Sequence, residues 1–97
     1  MNYQSKRWRT LREVVLRQEK YLCSECKRYG KNVDADTVHH IFPVEDYPSL
    51  AWKRKNLISL CSACHDKMHD RKTHKMTAAG RRLQRRSPLY GEKIKNP

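Results

Sequence analysis

Cys23-x-x-Cys26 and Cys61-x-x-Cys64 limit what this chain can fold into more than any other feature. A two-residue spacer lets both sulfurs of a pair face one ion, and two such pairs complete the closed tetrahedral shell of a structural Zn²⁺. Thirty-four residues separate the pairs. That is longer than in a simple zinc ribbon, so the intervening stretch must carry structure of its own. Disulfides would need an oxidising compartment, for which nothing in the sequence argues. A thioredoxin-like redox pair would need a surrounding βαβ pattern, and that is missing. Cys61-Ser62-Ala63-Cys64-His65 has the form of a c-type haem attachment motif, but haem would strand the other Cys pair and normally requires export. Zinc is therefore expected at Cys23, Cys26, Cys61 and Cys64, and haem is not.

Composition explains why a metal is needed. With 97 residues, 37% hydrophobic content, one Phe and a mean hydropathy of −1.02, the chain is expected to form one domain (1–97) with a thin core. Small domains of that kind usually need a metal or disulfides. No stretch approaches the roughly 18 apolar residues of a membrane span, and residues 1–20 show no apolar signal segment. A cytoplasmic protein is the expectation, with no membrane role. Lys and Arg outnumber Asp and Glu by 22 to 10, for a net charge of +12 and a pI near 9.9. Nucleic acid is the anionic partner this favours. The excess is uneven: residues 1–20 carry six basic and two acidic residues, 21–70 seven of each, and 71–97 nine basic against Glu92. This reads as a basic N-terminal helix (1–20), a neutral chemical centre (21–72) and a basic C-terminal extension (73–97).

Pattern and punctuation predict an α+β chain. Ser5 can cap a helix over 6–19, with Trp8, Leu11 and Val15 at helical spacing. Gly30 and Asn32 mark a turn. Residues 33–41 are rich in β-branched types and read as a strand, and Pro43 and Pro48 make 42–55 a loop. The apolar run 57–60 reads as a second strand, 62–72 as a helix, and Thr77 can cap a basic helix ending before Ser87-Pro88.

Four histidines fall in the neutral centre. Residues four apart share a helix face, so His65 and His69 could grip one ion together. Adjacent strand residues point to opposite sides, so His39 and His40 cannot do the same job. If one faces a metal, the other is free to move a proton, as a His near neutrality can.

His39-His40, then Asn56, then His65 within Cys61-x-x-Cys64-His65, resembles the HNH endonuclease family over about residues 8 to 72. The resemblance implies a ββα-metal (His-Me finger) core: two antiparallel strands and a helix around one catalytic divalent ion, with flanking N- and C-terminal helices and a separate structural zinc. It makes His40 the general base and Asn56 the brace of the loop. It also makes His65 a ligand of the catalytic metal. Position 39 is usually Asp in zinc-knuckle members. His39 here is similar to the His-His version of bacteriocin nucleases, which also have a His four residues beyond the motif's helix His, as His69 is. A shell of His39, His65 and His69 suits Zn²⁺, Ni²⁺ or Co²⁺ as well as Mg²⁺ or Mn²⁺. The short chain and its extension look like small phage-encoded members, often associated with the DNA-packaging terminase.

The expected activity is metal-dependent hydrolysis of phosphodiester bonds in DNA, double-stranded in the first instance. Lys53, Arg54 and Lys55 before Asn56, and Arg81, Arg82, Arg85 and Arg86 in the extension, are the expected phosphate contacts, giving salt-sensitive and weakly selective binding. Two other classes share the Cys site and the charge: a catalytically silent zinc-binding DNA or adaptor module, and a ribosomal-type RNA-binding protein. The first leaves the histidines unexplained, and the second predicts no nuclease activity.

Overall fold

A computed structural model describes residues 1–91; residues 92–97, the end of the basic extension, lie outside the described residues. Helix α1 (Lys6–Gln18) starts where the Ser5 hydroxyl accepts the backbone N–H of Trp8 at 3.1 Å, satisfying one of the donors a helix start leaves without a partner. The helix ends through Lys20 and Tyr21, both at positive φ (56° and 57°), with the Tyr21 N–H donating to the Leu16 carbonyl at 2.8 Å. This reversal delivers the chain directly to Cys23. A short helix that the sequence did not announce, α2 (Ser24–Arg28), follows.

Strands β1 (Thr37–His40) and β2 (Leu57–Leu60) pair antiparallel, with His39 opposite Ile58 and His40 opposite Leu57. The strand expected over 33–41 is shorter. Asp34 pairs with Leu22 in an isolated bridge instead, because the chain must first pass beside the first Cys pair. The loop between the strands is shaped by two single 3₁₀ turns, Pro48–Leu50 and Arg54–Asn56.

Helix α3 (Ser62–Asp66) corrects the expected helix over 62–72. Asp70 ends the helical option: its carboxylate accepts the N–H groups of Lys72 (2.8 Å) and Thr73 (3.0 Å), a local bond that competes with helix. The chain then forms a tight hairpin, with Met76 returning to pair with His69. Helix α4 (Ala78–Arg86) is capped by Thr77, whose hydroxyl accepts from the Gly80 N–H at 3.1 Å.

One buried cluster joins all these pieces. It includes Trp8, Val15 and Leu16 of α1, Val38, Leu57 and Leu60 of the sheet, Cys23 and Cys64, and Leu83 and Leu89 near the C-terminal end. Each such aliphatic side chain contributes about 1.5–3 kcal/mol on burial. At Gly80 a Cβ would stand 2.0 Å from the Met76 sulfur and 2.5 Å from the Met68 carbonyl oxygen. Only glycine lets α4 seat this close to the His69–Met76 hairpin. No described helix is long and apolar enough to cross a membrane.

Candidate active site and metal centres

The two Cys pairs meet because β2 carries one to the other. Ser59, fully buried, donates its hydroxyl to the Leu22 carbonyl at 2.8 Å. This pins the residue before Cys23 to the strand that runs into Cys61. The four sulfurs all lie within 4.8 Å of one another, with Cys26 3.7 Å from Cys64 and 3.9 Å from Cys61. Burial pushes the Cys23 thiol up, but backbone N–H groups of Cys26 and Cys61 outweigh it and bring it down to about 7. Burial and the neighbouring sulfurs hold Cys26 and Cys64 above the ordinary thiol value. Four thiolates this close ionise together only around a cation. Donor type, number and spacing fit one structural Zn²⁺ with no open position.

The histidines form a second constellation beside the first, since His65 directly follows Cys64 in α3. His39 and His40 part as strand alternation requires. The His39 ring meets those of His65 (5.2 Å between centroids) and His69 (5.4 Å). His65 comes from α3, whereas His69 comes from the hairpin beyond it. Their convergence on His39 therefore rests on the turn at Asp70 and the seat of α4, not on a shared helix face. His39 is 3% exposed, and its Nε2 is buried with no hydrogen-bond partner. Such an atom costs about 1–3 kcal/mol if nothing binds it. Burial first, and then the neighbouring histidines, push His39 down to about 3. Burial, with His65 and His74, also lowers His69, against the pull of Glu45. Neutral imidazoles with an unclaimed nitrogen are the form in which histidine binds a metal. The residues present fit a divalent cation.

On the opposite face of β1, His40 is buried and its Nε2 lies 3.0 Å from the Ala51 carbonyl. A carbonyl oxygen can only accept, so Nε2 carries the proton and Nδ1 keeps its lone pair. Burial lowers its proton affinity, partly offset by that bond, so the ring is neutral and able to accept a proton near pH 7. Asn56, fully buried, controls the loop that supplies this carbonyl. Its amide donates to Phe42 (3.0 Å) and Leu50 (3.3 Å) and its oxygen accepts the Phe42 N–H at 2.8 Å. All four histidines line one open cleft of about 1120 Å³, with Tyr3, Glu45, His74, Lys75 and Arg81 at its walls.

The expected phosphate contacts divide. Lys53, Lys55, Arg81, Arg82 and Arg85 are exposed, and Arg81 borders the cleft. Arg54 has a different task. It donates to Glu19 at 3.0 Å, to Gln18 and to the Leu57 carbonyl at 2.8 Å, clamping α1 to the start of β2. Arg86 likewise pairs with Glu25 of α2 at 2.8 Å, and Glu25 also receives Arg28. Sequence reasoning took Trp8 only as a helix-face residue and passed over Tyr3, yet both rings meet His40. No local pattern carries that signal.

The family described as HNH endonuclease matches residues 23–71. Among curated proteins, none matches. The structure of the HNH endonuclease of the deep-sea thermophilic bacteriophage GVE2, with manganese ion, is similar: 39% identity and a TM-score of 0.64, over 66% of this chain and 70% of that one.

Proposed function

Since the chain belongs to the HNH endonuclease family, and is thus a nuclease, we propose that it hydrolyses phosphodiester bonds of double-stranded DNA with His40 as general base and Asn56 as the brace of its loop. The observation that carries this is the 3.0 Å contact of His40 Nε2 with the Ala51 carbonyl: it makes Nε2 the protonated nitrogen and leaves Nδ1 as the base of a ring that lines the same cleft as the other three histidines. His39, His65 and His69 would hold the divalent ion, and the carboxylate-free imidazole set leaves its choice among Mg²⁺, Mn²⁺, Ni²⁺, Co²⁺ and Zn²⁺ to be measured. When bound there, such an ion polarises the phosphate and offsets charge on the departing oxygen. His40 Nδ1 takes a proton from water, and the resulting hydroxide attacks phosphorus in line with the leaving 3′-oxygen. Asn56 keeps the 42–51 loop, and so the Ala51 carbonyl, in register with the ring. Lys53, Lys55, Arg81, Arg82 and Arg85 contact flanking phosphates. Similarity to a phage enzyme supports a role in phage DNA processing inside a host cell, with the packaging terminase as partner.

Plasmid cleavage with each ion, against EDTA, tests the reading. Cleavage should require an ion, and His40→Ala should lower kcat by about 10²–10⁴-fold while zinc content and DNA binding persist. Undiminished cutting by that variant would remove His40 from its role. Silence of the wild type under every ion would favour a DNA-binding adaptor instead.

A further inference from the structure

The base of the proposed reaction is held at two places, and one of them lies outside the segment that matches the family. The bond from His40 Nε2 to Ala51 fixes one nitrogen, but a single hydrogen bond leaves a planar ring free to swing about that axis. The second hold is Trp8 of α1. Its indole lies against the imidazole face, with centroids 5.2 Å apart and planes 19° apart. Trp8 is itself 5% exposed, and Trp52 (6.5 Å, 65°) and Tyr3 (5.3 Å, 86°) set their edges against it. The Arg7 guanidinium covers Trp52 at 3.9 Å from its centroid. Tyr3 also stands edge-on to His40, at 6.2 Å and 68°. The Ser5 cap receives the N–H of Trp8 itself, so the helix start fixes the backbone from which the indole projects.

We infer that Trp8 is a positioning residue for the general base, its stacked indole removing the ring rotation that the Ala51 bond leaves open and so fixing where His40 Nδ1 points. The inference rests on the assignment of His40 as base. Stacked aromatic rings attract beyond their area burial, and a base displaced by even about 1 Å can lose about 10²-fold in rate. Through Trp8 the N-terminal helix then positions the base and is not only a basic arm.

The test compares Trp8→Leu, which keeps apolar bulk and loses the flat face, with Trp8→Phe, which keeps a flat face. Val15→Ala serves as a core control in the same helix, away from His40. Trp8→Leu should lower kcat about 10- to 100-fold with KM for plasmid unchanged and zinc retained. Trp8→Phe should recover most of the rate, and Val15→Ala should cost stability without that loss of kcat. In a His40→Ala background, Trp8→Leu should have no further effect, since both act through one group. An equal loss of kcat in Trp8→Leu and Val15→Ala, or a further fall in the His40→Ala background, would overturn the inference. Nuclear magnetic resonance of the wild type decides without any variant's folding: stacking should shift the His40 ring protons upfield, and normal positions would overturn it. Undiminished cutting by His40→Ala alone would locate the failure in the base assignment and not in the stack.

Discussion

The four-sulfur corner and the histidine corner are adjacent in the chain, Cys64 beside His65, yet built to opposite plans. The sulfurs lie within 4.8 Å of one another, the cluster is largely buried, and backbone N–H groups serve it. The imidazole rings stand 5.2 and 5.4 Å apart, leave a buried nitrogen unclaimed and open onto a broad cleft. A closed donor shell fixes structure, whereas an open one leaves room for substrate and water. One short segment, β2 into α3, feeds both. A closed and an open donor set are thus separated by less than a turn of helix.

The comparison is broken most directly by Cys23→Ser. If the sulfur corner holds the fold, this variant should lose zinc and its cooperative melting transition, since structural zinc sites supply about 10–16 kcal/mol at neutral pH. Metal analysis and circular dichroism check this, and a folded, zinc-free variant would show that the core suffices. His39→Phe should do the reverse, retaining zinc and melting while manganese affinity falls by at least about 10- to 100-fold in calorimetry. The same variant sharpens the pH contrast. In wild type without an ion at the histidines, folded His39 is held at about 3 against an ordinary 6.5. The unfolded chain therefore binds a proton that the folded one refuses, so stability is whole above pH 6.5 and drains away as pH falls toward 3. Melting curves across that window should be flatter for His39→Phe than for wild type.

Smaller effects probe the links between the corners. Gly80→Ala forces a methyl against the Met68 carbonyl and should cost about 1–3 kcal/mol in denaturant unfolding, with weaker manganese binding as the His69 hairpin shifts. Arg86→Ala removes a partly exposed pair to the zinc knuckle and should cost less than about 1 kcal/mol, with zinc content unchanged.

Much of the local structure is legible because it is decided locally. Ser5 and Thr77 cap the helices that their positions foretell, and 57–60 is a strand with the expected bounds. The helix expected over 62–72 stops at Asp66, and the turn that the Asp70 side chain offers the backbone keeps it from resuming, while α2 goes unannounced because it is only the one turn inside a Cys knuckle. The charge reading also needs revision. The flanking segments are basic, but α1 brings Trp8 and Val15 into the core and α4 brings Leu83. Cutting away 73–97 would remove core as well as charge. Arg54 and Arg86, counted with the phosphate contacts, are engaged by Glu19 and Glu25, partners 35 and 61 residues away that no window of sequence reveals.

The sequence by itself determined the donors. Side-chain chemistry belongs to single residues, and spacing within a knuckle or along a strand follows from backbone geometry, so four sulfurs for one ion and the parting of His39 from His40 could be read directly. Tertiary structure decided which of that pair turns toward His65 and His69, how His69 arrives from a hairpin, and that an indole from residue 8 lies flat on the ring of residue 40. Those outcomes depend on contacts between segments tens of residues apart, where the packing of the whole core and not any local preference sets the geometry.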